Sequence, residues 1–407
     1  MKTFSESTLL PFLKTNLSRN GFETPTPIQA AAIEPALAGN DLLATAETGT
    51  GKTLAFVLPI IQSLTGNPAP TGVRAIILSP TRELALQINE TFLKMAVGSG
   101  LTSSVVVGGL SESTQLRAIR KGAQVLIATA GRLHDFLSRG LLKLSGVKIL
   151  VLDEADRMLD MGFLPTIERI MAALPAQRQT LFFSATIESS VKHLVDAHLP
   201  RAVRIELGSS TKPTGQVDLR FYEVEQDRKL GLLHSLMQEE QGSFLVFART
   251  KHGADRLARR LADNGVKTAA IHGDRSQNQR NQALRGFQEG YYRVLVATDV
   301  AARGIHVDNI AHVVNYDLPQ VPEDFIHRVG RTGRAGTRGT ASTFGTRLER
   351  STVAHMERTL AIRLTRYTES GEAAPVEAGD SQAARPRQWR SFGPSRRSGR
   401  THARRSA

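Results

Sequence analysis

The run Ala46-Glu47-Thr48-Gly49-Thr50-Gly51-Lys52-Thr53 places two glycines, a lysine and a hydroxyl between an apolar strand-like segment and a helical one. Such a loop can curl its backbone N–H groups around phosphate oxygens, and the helix N-terminus behind it adds partial positive charge. Lys52 would reach the β- and γ-phosphates of a nucleotide, and the Thr53 hydroxyl would bind Mg²⁺. Ala46 stands where the usual pattern opens with Gly, so an ordinary strand-to-helix turn with a lysine near the cap is the alternative. A second cluster answers the first. The apolar segment Lys148–Leu152 runs into Asp153-Glu154-Ala155-Asp156. Carboxylates at the carboxyl end of a buried strand lie where open α/β sheets bind ligands. Asp153 suits Mg²⁺, partly through water, and Glu154 suits orienting and deprotonating an attacking water. The plainer alternative is a set of acids capping the following helix.

Positioning these groups takes parallel strands. Apolar runs at Leu42–Ala46, Ala75–Ser79, Val125–Thr129, Ile149–Asp153 and Thr180–Ser184 form one set. Phe244–Ala248, Thr268–Ile271, Val294–Thr298, Ala311–Tyr316 and Ala341–Phe344 form another. Continuous apolarity means strands buried on both faces, hence helix-covered parallel sheets. The stretch Gly208–Gly215 is rich in Gly, Ser, Thr and Pro and reads as a linker. The expectation is an α/β protein with two tandem domains, 1–207 and 217–367, joined by 208–216. Residues 368–407, poor in aliphatic side chains, are expected to be disordered.

The order of short motifs resembles that of the DEAD-box ATP-dependent RNA helicases. Besides Asp153–Asp156 it comprises Gly21-Phe22 with Pro25-Thr26-Pro27-Ile28-Gln29, then Pro80-Thr81-Arg82-Glu83-Leu84-Ala85, Gly108-Gly109 and Ser184-Ala185-Thr186. The second half adds Ala297–Gly304 and His327-Arg328-Val329-Gly330-Arg331-Thr332-Gly333-Arg334. Arg249–Ala254 and Ala269–Gly273 look most like the RhlE-type branch. The resemblance implies two RecA-like domains that use ATP and Mg²⁺ to remodel RNA. Gln29 offers the donor and acceptor that an adenine edge needs, although a surface glutamine after a helix cap would look the same. Phe4, Asp299 and Gly304 fall at family positions that touch ATP. Arg331 and Arg334, on a glycine-spaced loop, would present guanidinium forks to the γ-phosphate from the second domain. A basic loop gripping RNA phosphates is the alternative for them. His327 joins the γ-phosphate to the interdomain contacts by resemblance, and Asp156, Ser184 and Thr186 relay closure. For the last two, a helix N-cap is an equally good reading of the residue types.

The resemblance lays RNA across Pro80, Thr81, Arg82, Gly108, Gly109, Thr129, Gly131, Arg132, Gly273, Gln277, Arg280, Thr298 and Arg303. Small residues, hydroxyls and arginines contact phosphates and sugars, so binding should be independent of sequence. Two other activities fit the same composition: an ATP-gated RNA clamp or annealing chaperone, and a DNA helicase of a neighbouring group. Gln29 and the Asp153–Asp156 tetrad argue against the last.

Three positions depart from the family pattern. Ala130 replaces the proline of a Thr-Pro-Gly-Arg turn, Glu47 replaces the commoner glutamine, and His306 stands where the family has an aspartate that accepts a hydrogen bond from the ATP ribose. A neutral imidazole accepts through one nitrogen and a protonated one not at all. His306→Asp is therefore expected to lower the KM for ATP, more so as pH falls. A steady-state titration giving an unchanged KM would remove the idea.

Composition narrows the class further. The chain of 407 residues has no cysteine, which excludes disulfides, thiolate catalysis and Cys-ligated zinc. A net charge of +14 favours a polyanionic partner. Residues 381–407 carry eight arginines and no acid. Arg385, Arg387 and Arg390 flank Trp389, a mixture able to bind phosphates and stack on bases. This tail reads as an auxiliary RNA tether, or as a merely solvated basic terminus. No apolar run approaches the ~20 residues that span a bilayer, and the N-terminus lacks a signal-peptide pattern, so a monomeric cytoplasmic protein is expected. Ribosome assembly and RNA turnover are both open to it.

Overall fold

The computed structural model describes residues 2–46, 49–66, 72–187, 189–207, 217–302, 310–333 and 338–368. Two seven-stranded sheets organise them. The first holds β1 (Leu42–Thr45), β2 (Ala75–Ser79), β3 (Ser103–Val106), β4 (Val125–Thr129), β5 (Ile149–Leu152), β6 (Gln179–Ser184) and β7 (Val203–Glu206). The second holds β8 (Val217–Glu223), β9 (Phe244–Phe247), β10 (Thr268–Ile271), β11 (Val294–Ala297), β12 (His312–Asn315), β13 (Gly339–Gly345) and β14 (Thr365–Tyr367).

Strand order is β3-β4-β2-β5-β6-β1-β7 in one sheet and β10-β11-β9-β12-β13-β8-β14 in the other. Subtracting seven from each label of the second gives the first, so the chain uses one topology twice. Every pairing is parallel. Alternate residues of one strand feed different cores. Val125 and Ile127 of β4 join one apolar cluster while Leu126 and Ala128 join another across the sheet. In the second half Leu245 and Phe247 of β9 face one cluster, Phe244 and Val246 the other. Helices must therefore cover both faces, and each turn at a strand's carboxyl end becomes a loop at one common edge.

The strands expected from continuous apolarity are all present. Four others, β3, β7, β8 and β14, went unanticipated because they sit at or next to sheet edges and alternate or expose their side chains; Val203–Glu206 buries only Ile205. The expected linker at 208–216 and basic tail lie outside the described residues. No helix among the described residues is long and apolar enough to cross a membrane.

Candidate nucleotide and nucleic-acid site

Three neighbouring strands, β5, β6 and β1, end side by side. Thr45 is in register with Ser184, and Leu152 with Phe182. The loop after β1 leads into the helix Lys52–Leu64, whose apolar body is anchored in the core from Leu54 to Leu64. Gly49 and Gly51 have φ of 88° and 90°, the left-handed region that favours glycine. Gly51 has a second reason to lack a side chain: a Cβ there would come 2.4 Å from the Gln29 amide nitrogen. Gln29 Nε2 donates to the Gly51 carbonyl at 2.9 Å, and Gln29 Oε1 accepts the Thr26 N–H at 2.9 Å. One N–H and one lone pair remain for a ligand, and the side chain is buried. The amide thus brackets the phosphate loop to the helix Pro27–Leu37.

Lys52 is buried and donates to the Ala46 carbonyl at 2.9 Å. Thr53 is half-buried beside it. Glu47 and Thr48 lie outside the described residues. After β5, Asp153 is fully buried; desolvation pushes its carboxyl up to about 7, against the pull of the Lys52 ammonium and with the push of Glu154. Glu154 adopts φ 50°, one of two described non-glycine residues in the left-handed region. Its Oε1 is buried with no hydrogen-bond partner among the described residues.

These facts have a stability consequence with a definite sign. A carboxyl whose folded pKa is raised binds more protons folded than unfolded between pH ~4 and ~7, so stability falls as pH rises through that window. Asp153→Asn should stabilise the ligand-free protein by up to about 4 kcal/mol at pH 8, and by almost nothing at pH 4. Urea unfolding at the two pH values measures it, and an equal effect at both would show that the carboxylate is not held in a desolvated place.

Asp156 connects two of the strand ends. Its Oδ2 accepts from the backbone N–H groups of Ala185 and Thr186 at 2.9 Å each, and from Thr186 Oγ1 at 3.2 Å. Ser184 differs from the expectation. Its hydroxyl donates to the Thr186 carbonyl at 2.7 Å and holds the turn, leaving contact with the tetrad to Thr186 and Ala185.

The second half brings the helix Pro322–Val329, which follows β12 as the acidic tetrad follows β5. Arg331 is buried, with Nε donating to the His327 carbonyl at 3.2 Å. A small gap between the halves is lined by Arg157, Asp324, His327, Arg328, Arg331, Asp299 and Phe247. Arg157 of the first half meets Asp324 of the second at 3.4 Å, both buried. Neither residue stood out in the sequence, where each reads as a helix-surface charge. Two residues expected at the nucleotide also have partners within the protein. Both Asp299 oxygens are taken by the Arg328 fork, at 2.5 and 2.8 Å, and Arg328 also stacks over Phe247, so Asp299 positions an arginine. Phe4 is 2 % exposed and packs in the core, with its N–H bonded to the Glu23 carbonyl, whereas Phe22 is exposed. Arg334 and Gly304 fall outside the described residues, as does His306.

The residues expected to hold RNA follow β2, β3 and β4 in the first sheet and β10 and β11 in the second. Of these, β3 and β4 are the topological equivalents of β10 and β11, so the two halves offer matching edges. Thr81 caps the helix Arg82–Met95 by accepting the Leu84 N–H at 3.2 Å. Arg82 lies against Gly108 and Gly109; a Cβ on Gly109, at φ 78°, would come 2.2 Å from Arg82 Nη1. Thr129 precedes the helix Ala130–Ser138, where Ala130 takes the first helical position, so loss of the proline leaves the helix start intact. Arg132 in that helix is paired with Glu112 and Asp135 at 3.3 and 3.4 Å. Gly273 lies beside the Lys251 stem, and Thr298 is buried at the end of β11. Gln277 and Arg280 are turned to protein: Gln277 Nε2 donates to Glu83 Oε1 at 2.7 Å, and Arg280 Nη2 lies 2.9 Å from Glu83 Oε2. Glu83, from the other half, was missed as a site residue because its neighbours in sequence gave it no special role. Arg82 Nη1 also reaches Gln277 Oε1 at 3.5 Å. Arg303 lies outside the described residues.

A phosphate-type loop, strand-end carboxylates and an arginine-bearing partner edge on two RecA-like sheets define a two-domain nucleotide-dependent motor. Residues 26–194 match the DEAD/DEAH box helicase family, and residues 228–336 match the helicase conserved C-terminal domain. The chain is 40% identical over 369 residues to the DEAD-box ATP-dependent RNA helicase CshA of Geobacillus kaustophilus, covering 90% of this chain and 78% of that one. It belongs to the DEAD-box family of ATP-dependent RNA helicases. The Saccharomyces cerevisiae Dbp5 structure bound to RNA and ADP BeF3 superposes with a TM-score of 0.82 at 32% identity, covering 91% of this chain and 96% of that one. A DEAD box protein from Methanococcus jannaschii is more similar in sequence, at 36%, with 90% and 99% covered, yet its TM-score is 0.54. The Dbp5 score is taken over 91% of this chain and so includes both halves.

Proposed function

We propose that this chain is an RNA-stimulated ATPase that closes on ATP and RNA together and locally separates RNA strands without reading their sequence. The observation that carries the reading is the convergence of Lys52, Asp153, Glu154 and the Asp156–Thr186 contact on three adjacent strand ends, with Arg157 of the same half sharing a small gap with His327 and Arg331 of the other. In it, 1–207 and 217–367 act as the two domains, 208–216 as their hinge, and 368–407 as an auxiliary RNA tether. Lys52 leaves the Ala46 carbonyl to meet the β- and γ-phosphates, and the backbone of Ala46–Gly51 cradles them. Gln29 reads the adenine edge with its remaining donor and acceptor.

The hydroxyl of Thr53 and the carboxylate of Asp153 are hard oxygen donors suited to Mg²⁺. A buried Asp153 carboxyl poised near neutrality and an unpartnered Glu154 oxygen fit the approach of a cation with its waters. Bound there, Mg²⁺ would neutralise phosphate charge. Glu154 takes the proton from the attacking water, while Arg331 and Arg334 offset the charge that builds on the γ-phosphoryl. Thr186 and Asp156 pass the presence of nucleotide to the domain contact at Arg157–Asp324. Arg82, the Gly108–Gly109 turn, Thr129, Gly273 and Thr298 hold the RNA backbone. The RhlE-type branch is carried by Arg249–Ala254 and Ala269–Gly273 alone.

ATP hydrolysis measured without nucleic acid, with single-stranded RNA and with DNA of matched sequence tests the reading. Stimulation by RNA well above that by DNA is expected. Equal stimulation by both would favour a DNA motor, and RNA binding without stimulated hydrolysis would favour a clamp.

A further inference from the structure

The helix Lys251–Asp263 covers the β10 edge of the second sheet, burying Ala254, Leu257, Ala258 and Leu261. Its outer stripe is basic. Arg256, Arg259 and Arg260 are all exposed, lie within about 100° of one another around the helix axis, and make no ion pair with any described residue. Like charges spaced three and four apart on a helix disfavour it by a few tenths of a kcal/mol per pair, so folding gains nothing from this stripe. Of the helix's two acids, Asp255 is held by His272 and Arg275, while the exposed Asp263 follows Arg259 and Arg260 by one turn and offsets one of the three charges.

The stripe connects two features. At the helix's start, the Lys251 stem touches Gly273, which the proposed RNA path uses. Past its end stand Lys267 and Tyr291; Lys267 Nζ lies 5.3 Å over the Tyr291 ring, which is 61 % exposed and propped edge-on by Tyr292 at 4.9 Å. Cations followed by an aromatic face kept open to solvent form the combination that holds single-stranded nucleic acid, phosphates on the arginines and a base on the ring.

We propose that the Arg256–Arg259–Arg260 stripe and Tyr291 form an outer track that binds single-stranded RNA continuing past Gly273 over the edge of the second domain. The helix length from Lys251 to Asp263, about 18 Å at ~1.5 Å per residue, accommodates only a few nucleotides. The proposal rests on the RNA path given above, and an unpaired strand is specified because a base must be free to stack on Tyr291.

The test uses the full chain, so that the basic tail contributes equally throughout. Affinity is measured with a non-hydrolysable ATP analogue for a short RNA of about six nucleotides and a long one of about sixteen, across a salt series. In the variant Arg256→Glu/Arg259→Glu/Arg260→Glu the long RNA should bind at least tenfold more weakly, and its log K against log salt slope should lessen by about 2, for three phosphates at ~0.7 each. The short RNA should be unaffected. Tyr291→Ala, which changes no charge, should weaken the long RNA about fivefold or more, the lower end of one stacked base. A reversal of the same size at the exposed Lys143, Lys148 and Arg169 controls for net charge. Long-RNA binding that is unchanged in the track variants, or lowered equally in the control, overturns the track. A loss confined to RNA with a duplex flank overturns the single-stranded assignment. Absence of any ATP-analogue effect on either RNA in the parent protein would count against the proposed motor, a separate result from the comparison of variants.

Discussion

Glu154→Gln is expected to lower kcat for RNA-stimulated ATP hydrolysis by about 10²–10⁴-fold, the usual span for loss of a general base, while ATP-dependent RNA retention persists. The substitution keeps the side chain's size and removes its ability to take a proton. Two features place the chemistry at this residue. Glu154 holds φ 50° although it has a side chain, a conformation costing of order 1 kcal/mol that persists where surroundings enforce it. Its Oε1 is buried and bonded to nothing described, so it is already desolvated and needs no protein contact broken before it can meet a water. Single-turnover hydrolysis with saturating RNA, alongside RNA retention with ATP, separates chemistry from binding. A kcat within threefold of the parent would remove Glu154 from the proton transfer. Loss of RNA retention together with hydrolysis would assign it to closure.

What the sequence made legible follows the physics of burial. Strands covered on both faces announce themselves as unbroken apolar runs, and each such run is a strand of one of the two sheets. Edge strands such as Ser103–Val106 and Thr365–Tyr367 carry half-exposed polar residues and look like loops. The loop Ala46–Thr53 and the tetrad Asp153–Asp156 were legible because their chemistry needs particular residue types at fixed local spacing. Pairs made across the two halves were not. Arg157 and Asp324 are 167 positions apart, and only the folded chain shows that each is the other's partner. The same limit hid the partner of Asp299, whose two oxygens accept from Arg328, 29 positions on.

Glu83 offers the second large effect, through closure of the two halves. Its carboxylate is 2 % exposed between Gln277, which donates to Oε1 at 2.7 Å, and Arg280, whose Nη2 is 2.9 Å from Oε2 but out of hydrogen-bond alignment. Burial pulls the Arg280 pKa down, and the Glu83 charge only partly opposes this. A buried pair of this kind adds little net stability, yet removing one member leaves the other charged and dry, at a cost of about 3–5 kcal/mol. That cost falls on the closed arrangement alone, because separating the halves returns Arg280 to water. Glu83→Gln should therefore weaken ATP-dependent RNA binding by about 10²–10⁴-fold with the thermal unfolding of each half unchanged. Arg280→Met should do the same by stranding Glu83. Removing both charges in Glu83→Leu/Arg280→Met should recover most of the loss, since an apolar pair of similar volume can replace a buried ion pair. The double variant discriminates between the two roles open to Arg280. If the guanidinium's main role were to grip an RNA phosphate, Glu83→Gln would leave RNA affinity intact or raise it, and the double variant would bind as poorly as Arg280→Met. Recovery in the double variant would instead make Glu83 and Arg280 a latch between the domains.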